Sequence, residues 1–303
     1  MQSTSEMTPT ETLIENAERQ RRWLRRFCWA GVVFVVVTLL LVVSQPLYVR
    51  WQLRQHGWKL EPYSPRGLPD WAPQWADPWF GRINFAMHER SSLQISDLNL
   101  LRRFPSLRTI RLDSADISES AFESLSKLSQ VENMWIRSAR FDAAGLRHLA
   151  RHPKLKCLSF DMALDDNALE TVATCHQLTL LGLTGSTDAN LRDVSRLHRL
   201  KRLVLTKSHV TDDGATWLAD NCPSLEILMI QGGPMTDVGL AELARHPNLR
   251  TLFLQDMTIS DDGTLKLKSC PLLQTINVKN TKVTSAGVTE LRKSRPTLKV
   301  SVE

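Results

Sequence analysis

The chain has 303 residues, 42% of them hydrophobic, and a formal net charge of +6 from 38 basic and 32 acidic side chains. That apolar content is ordinary for a folding chain. The charge is spread so thinly that no basic stripe able to neutralise phosphates stands out, which argues against nucleic acid as a partner. Five cysteines in so long a chain are not a disulfide framework.

Residues 1–26 carry five arginines against four glutamates and read as a cytoplasmic tail. Residues 27–49, FCWAGVVFVVVTLLLVVSQPLYV, then run without a charge. A helix of that length, rising about 1.5 Å per residue, reaches roughly 34 Å and crosses a hydrocarbon core of about 30 Å. Arg19, Arg21, Arg22, Arg25 and Arg26 precede the run, whereas only Arg50, Arg54 and Lys59 follow it closely. The asymmetry predicts one transmembrane helix in the cytoplasmic (inner) membrane, with the N-terminus in the cytoplasm and the rest of the chain outside. The rival reading is a cleaved signal peptide ending near Val42-Val43-Ser44, but the long leader and the length of the run favour a retained anchor. Gln45 to Trp79 holds six prolines and five tryptophans. Prolines resist regular structure and the tryptophans are too many for a simple tether, so 50–79 is expected to form a membrane-proximal lead-in that covers an open end of the next domain.

From residue 80 to 303 one pattern recurs. Apolar triplets stand at Leu107/Ile110/Leu112, Val131/Met134/Ile136, Leu155/Leu158/Phe160 and Leu178/Leu181/Leu183. They continue at Leu200/Leu203/Leu205, Leu225/Leu228/Ile230, Leu249/Leu252/Leu254 and Leu273/Ile276/Val278, with Phe80/Ile83/Phe85 as a looser opening unit. First positions are 22 to 25 residues apart from Leu107 onward. A period this steady predicts a solenoid of about nine repeats, closed by the strand-like LKVSVE. Within each unit the alternating apolar pair is a short strand with one buried face. Helix caps follow at Ser118, Asp142, Asp165, Thr187, Thr211, Thr236, Ser260 and Thr284. Their side chains accept from free amides at a helix start, and the acid that comes next in six of the eight suits the helix dipole. Apolar residues spaced i, i+3, such as Leu146/Leu149, Leu240/Leu243 and Val288/Leu291, then face the strand.

The L-x-x-L-x-L spacing, the VTDDG and MTDVG starts and the LARHPNL and LADNCPSL ends resemble the leucine-rich repeat family, and most closely its cysteine-containing type. The whole chain is similar to bacterial membrane-anchored leucine-rich repeat proteins. The resemblance implies an α/β, right-handed solenoid, with parallel strands on a concave face and short helices on a convex one. Where that type carries asparagine or cysteine after the strand, this chain has Ala115, Ala139, Ala163, Ser186, Ser208, Gly233, Met257 and Thr281, so no polar ladder is expected there. No F-box-like segment accompanies the repeats.

His152, Cys175, Cys222, His246 and Cys270 look like metal ligands when taken together. All five hold one repeat position, which Phe104, Leu128, Leu197 and Arg295 fill elsewhere. A slot that accepts Phe and Leu is a packing position. Repeats stack about 4.8 Å apart, which leaves Cys222 and Cys270 beyond disulfide reach. His148 and His152 lack the glutamate of a zinc-protease helix, and the chain has no G-x-S-x-G, P-loop or dinucleotide glycine pattern. Neither a catalytic residue nor a cofactor, metal or small-molecule substrate is therefore expected.

What remains is surface. One outward row of the strands is Arg111, Trp135, Ser159, Gly182, Val204, Met229, Phe253 and Asn277. Large apolar residues on a solvated sheet face mark a contact surface when they are contiguous. Val204, Met229 and Phe253 are consecutive, Trp135 stands apart, and Arg202 and Gln231 supply a polar rim. The expectation is a non-catalytic module that binds a protein partner through Trp135, Arg202, Val204, Met229, Gln231 and Phe253. The alternative is a structural envelope component that self-associates or packs against the cell wall.

Overall fold

A computed structural model describes residues 47–62 and 83–302. The chain divides into two units, Met1–Gln52 and Leu53–Glu303. Of the apolar run at 27–49, the part up to residue 46 lies outside the described residues, as do the tail at 1–26, segment 63–79 of the Pro/Trp-rich lead-in and residues 80–82, Phe80 of the opening unit among them. Among the described residues no helix is long and apolar enough to cross a membrane. In the first unit residues 47–52 are helical.

The second unit is the solenoid. It opens with β1 (Trp58–Pro62), β2 (Ile83–His88), β3 (Thr109–Asp113), β4 (Asp116–Ile117), β5 (Asn133–Arg137) and β6 (Arg140–Phe141). Then follow β7 (Cys157–Asp161), β8 (Leu180–Thr184), β9 (Arg202–Thr206), β10 (Ile227–Gln231), β11 (Thr251–Gln255), β12 (Thr275–Asn277) and β13 (Lys299–Ser301). All but β4 and β6, which pair with each other, form an 11-stranded sheet in the order β1-β2-β3-β5-β7-β8-β9-β10-β11-β12-β13. β1 pairs antiparallel with β2, and every later neighbour is parallel. A helix or helical turn connects each parallel strand to the next, as parallel pairing demands. This is the α/β architecture of a leucine-rich repeat solenoid.

The register follows the sequence period. Ile110, Met134, Leu158, Leu181, Leu203, Leu228, Leu252 and Ile276 align across the sheet, and all are fully buried. The helix residues Leu146, Leu149, Leu240, Leu243, Val288 and Leu291 are buried with them. The opening unit differs from expectation. Ala86 pairs with Ile110 and His88 with Leu112, so the first core triplet is Ile83/Ala86/His88, and Phe85 belongs to the row beside it. All three are buried, at 4%, 0% and 0% exposure. A unit whose core positions hold alanine and histidine carries little hydrophobic signal, and the neighbouring phenylalanines drew the register off by three.

β1 covers the free edge of β2, the first strand of the parallel stack. Trp58 is 1% exposed, with its ring 4.9 Å from that of His88. The Trp58 indole N–H donates to Asp97 Oδ2 at 3.2 Å, and His56 Nδ1 lies 2.7 Å from Asp97 Oδ1. Asp97 is wholly buried and so is held by two partners from the lead-in, as a buried carboxylate requires.

All eight expected cap residues stand at helix N-caps. The acid after the cap does more than meet the helix dipole. Asp188 Oδ1 accepts from the Thr211 amide at 2.9 Å and its Oδ2 from the Thr211 hydroxyl at 2.6 Å. Asp212 does the same for Thr236, and Asp237 for Ser260. Asp261 does so for Thr284, with the carboxyl held below its ordinary pKa chiefly by the Thr284 hydroxyl. Each carboxylate thus fixes the cap of the following repeat. It sits where a side chain on Gly214, Gly239, Gly263 or Gly287 would be: a Cβ there would overlap the carboxylate oxygen of the preceding Asp188, Asp212, Asp237 or Asp261. The T-D-x-G run is therefore the joint between repeats.

Candidate functional site

The strands place one row of side chains down the outward face: Met87, Arg111, Trp135, Ser159, Gly182, Val204, Met229, Phe253, Asn277 and Ser301. Val204, Met229 and Phe253 are adjacent in register and half-buried. Trp135, at 37%, is the most exposed large apolar residue of this row. Its ring packs against that of Phe85, with centroids 6.1 Å apart, which braces the side chain on one side.

Trp135 and Val204 are not isolated from each other. Between them lie Ser159 and Gly182, and the lost side-chain volume opens a cleft of about 310 Å³. A Cβ on Gly182 would overlap the Ser159 hydroxyl, so glycine is what lets the two strands hold this dip. Arg111, Arg137, Phe160, Asp161, Leu183, Thr184 and Thr206 complete the lining. Its charges are paired: Arg111 grips Asp113 through three bonds of 2.7–3.0 Å, and Arg137 Nε donates to Asp161 Oδ2 at 3.2 Å. The Thr184 and Thr206 hydroxyls lie 2.8 Å apart. The cleft is thus a charge-balanced hollow with one indole wall.

The expected rim divides. Arg202 is exposed at the start of β9. Gln231 is committed elsewhere: its Nε2 donates to Asp256 Oδ2 at 2.9 Å, and Asn280 holds the other oxygen. The sequence pattern identified the row, but it missed the cleft, because glycine and serine carry no apolar signal.

The histidine and cysteine slot is a packing position with an added bond. His152 Nε2 lies 3.1 Å from the Leu128 carbonyl while its Nδ1 accepts from the Lys154 amide. His246 repeats this with the Cys222 carbonyl and the Asn248 amide. Nδ1 as acceptor makes Nε2 the donor, so both rings are neutral and fully satisfied. Arg295 fills the slot at the end by donating to the Cys270 carbonyl. Cys157, Cys175, Cys222 and Cys270 are buried free thiols. Burial pushes the Cys175 thiol up to about 12 and that of Cys222 to about 11, far from thiolate chemistry at neutral pH. Among the described residues no group of three or more His, Cys, Asp or Glu is placed to hold a metal ion.

Burial also lowers the pKa of His88, His152 and His246 below the usual 6.5; carbonyl bonding at the latter two, and Asp97 at His88, act the other way. The folded state then binds fewer protons than the unfolded one. Stability is full above about pH 6.5 and declines below it, by up to about 1.4 kcal/mol per pH unit for each histidine. Thermal unfolding followed from pH 7.5 to pH 5 should show Tm falling, and His246→Gln should flatten that fall.

No protein-family model matches the sequence, and no curated protein matches it. Among solved structures, an internalin (inlF) from Listeria monocytogenes aligns at a TM-score of 0.47 and 17% identity, over 68% of this chain and 56% of that one. Internalin C2 from the same organism aligns at 0.46 and 19%, over 70% and 84%. The chain spans little more than half the length of the first.

Proposed function

We propose that this chain is a membrane-anchored leucine-rich repeat protein that binds a protein partner, without catalysis, through its concave strand face. The observation that carries this is the aligned row of Trp135, Val204, Met229 and Phe253, with a cleft of about 310 Å³ set between the first two. An indole packed on Phe85 beside a charge-neutral hollow has the chemistry of an interface anchor, since binding energy concentrates at a few aromatic and apolar groups inside a polar surround. Arg202 is the charged group of the rim. The anchor is the charge-free run at 27–49, and the arginine excess before it orients the N-terminus to the cytoplasm and the repeats outside the cytoplasmic membrane.

The test is capture of partners from detergent-solubilised membranes by the full chain and by Met229→Ser. Loss of a central anchor costs about 2 kcal/mol, so the variant should capture its partner more than tenfold less well with an unchanged Tm. Undiminished capture by the folded variant would remove the row from the site. If the captured species is a second copy of this chain, the self-associating envelope component is the correct reading instead.

A further inference from the structure

The membrane-anchor reading places a demand on the residues that leave the bilayer, and the first described residues carry an unexplained feature. Tyr48 is 62% exposed and Trp51 57%, and the two rings stack with centroids 6.1 Å apart on the helical stretch 47–52. Such a pair in water leaves two large apolar surfaces solvated, one helical turn apart, at the end of the 23 uncharged residues. Elsewhere among the described residues the bulky aromatic rings are buried or half-buried, Trp135 at 37% excepted.

We propose that Tyr48 and Trp51 form an aromatic collar seated in the headgroup layer of the phospholipid bilayer, on the side where the chain emerges. The inference rests on the anchor reading and adds its depth. In a helix that begins at Phe27 and rises about 1.5 Å per residue, Tyr48 falls about 32 Å and Trp51 about 36 Å along the axis. A hydrocarbon core of about 30 Å, with interfacial layers bringing the bilayer to about 40–45 Å, places both residues beyond the acyl chains and inside the headgroup zone. That zone suits these side chains: the ring bodies are apolar, while the phenol O–H and indole N–H need polar partners. Arg54, exposed three residues after Trp51, is a cation where lipid phosphates lie, and its long stem lets the charge sit in that layer. The occupant of this surface is therefore lipid rather than protein.

The experiment uses the full chain, with Cys28 replaced by serine, reconstituted in vesicles of phosphatidylcholine and phosphatidylglycerol. The remaining thiols are buried and inert, so a nitroxide label attaches selectively to Tyr48→Cys or to Trp51→Cys, each variant keeping the other ring. Val238→Cys, whose parent side chain is 64% exposed on a helix of the repeats, reports on open water. Collisions with oxygen, which concentrates in lipid, are compared with collisions with a water-soluble nickel chelate. An oxygen-to-nickel ratio several-fold higher at 48 and 51 than at 238 supports the collar. A ratio equal to that at 238, in a chain that stays with the vesicles through alkaline carbonate, overturns the collar and leaves the anchor standing. Low collision rates with both reagents at 48 and 51 also overturn it, because the rings are then covered by protein. A chain that carbonate strips from the vesicles overturns the anchor reading and the collar with it.

Discussion

Leu254→Ala is expected to lower the unfolding free energy by about 2–5 kcal/mol, while Phe253→Ser, one residue away, costs about 1 kcal/mol or less. Leu254 is fully buried in the stack of β11, between Ile230 and the next repeat, so truncation leaves a cavity that neighbouring repeats cannot fill without moving. Phe253 points to the other face and is half-buried, so its loss removes area rather than opening a hole. Each repeat contacts chiefly its neighbours, and the Leu254 defect should therefore also broaden the transition by uncoupling the two sides of the solenoid. Chemical denaturation of the two variants decides the matter. Equal destabilisation would mean that inside and outside are wrongly assigned along this strand.

Asp237→Ala should cost about 2–3 kcal/mol, a large loss for a half-exposed carboxylate outside the apolar core. Its oxygens accept from the Ser260 amide at 2.8 Å and from the Ser260 hydroxyl, and bonds to a charged acceptor are worth roughly 1.5–3 kcal/mol each, with part returned here by water. Gly263→Ala should destabilise as well, even though alanine is the better helix former, because the new methyl overlaps the same carboxylate. The two effects share a cause and so cannot add. In the Asp237→Ala background, Gly263→Ala should cost at least about 1 kcal/mol less than alone. Additive losses in the double-mutant cycle would show that the carboxylate and the glycine are independent, and the inter-repeat joint would fall.

The repeat lattice was legible because its cause is local. Leu107/Ile110/Leu112 and the later triplets announce a buried strand face by spacing alone, and Ser118 or Thr211 announces a helix start by side-chain chemistry. The Asp237–Ser260 bond was not legible, since its partners are 23 residues apart and a cap reads only its own helix. The histidine slot was recognised as packing from the residues that share it, but the His246 bond to the Cys222 carbonyl depends on how repeats stack. The opening register failed where Ala86 and His88 take core positions that leucine holds elsewhere. On the outward face the row of Val204, Met229 and Phe253 could be drawn from strand alternation. The cleft could not, because Gly182 and Ser159 act through volume they do not occupy.

The most direct test of the proposed binding face is site-specific photo-crosslinking in native membranes. A photoreactive residue replaces Trp135, Val204 or Met229 on the outward strand row, or Thr174 or Val238, which are exposed away from it. The account predicts an adduct of the same mass from each of the three strand positions and none from Thr174 or Val238. Adducts formed at Thr174 or Val238, with the strand positions silent, would contradict it.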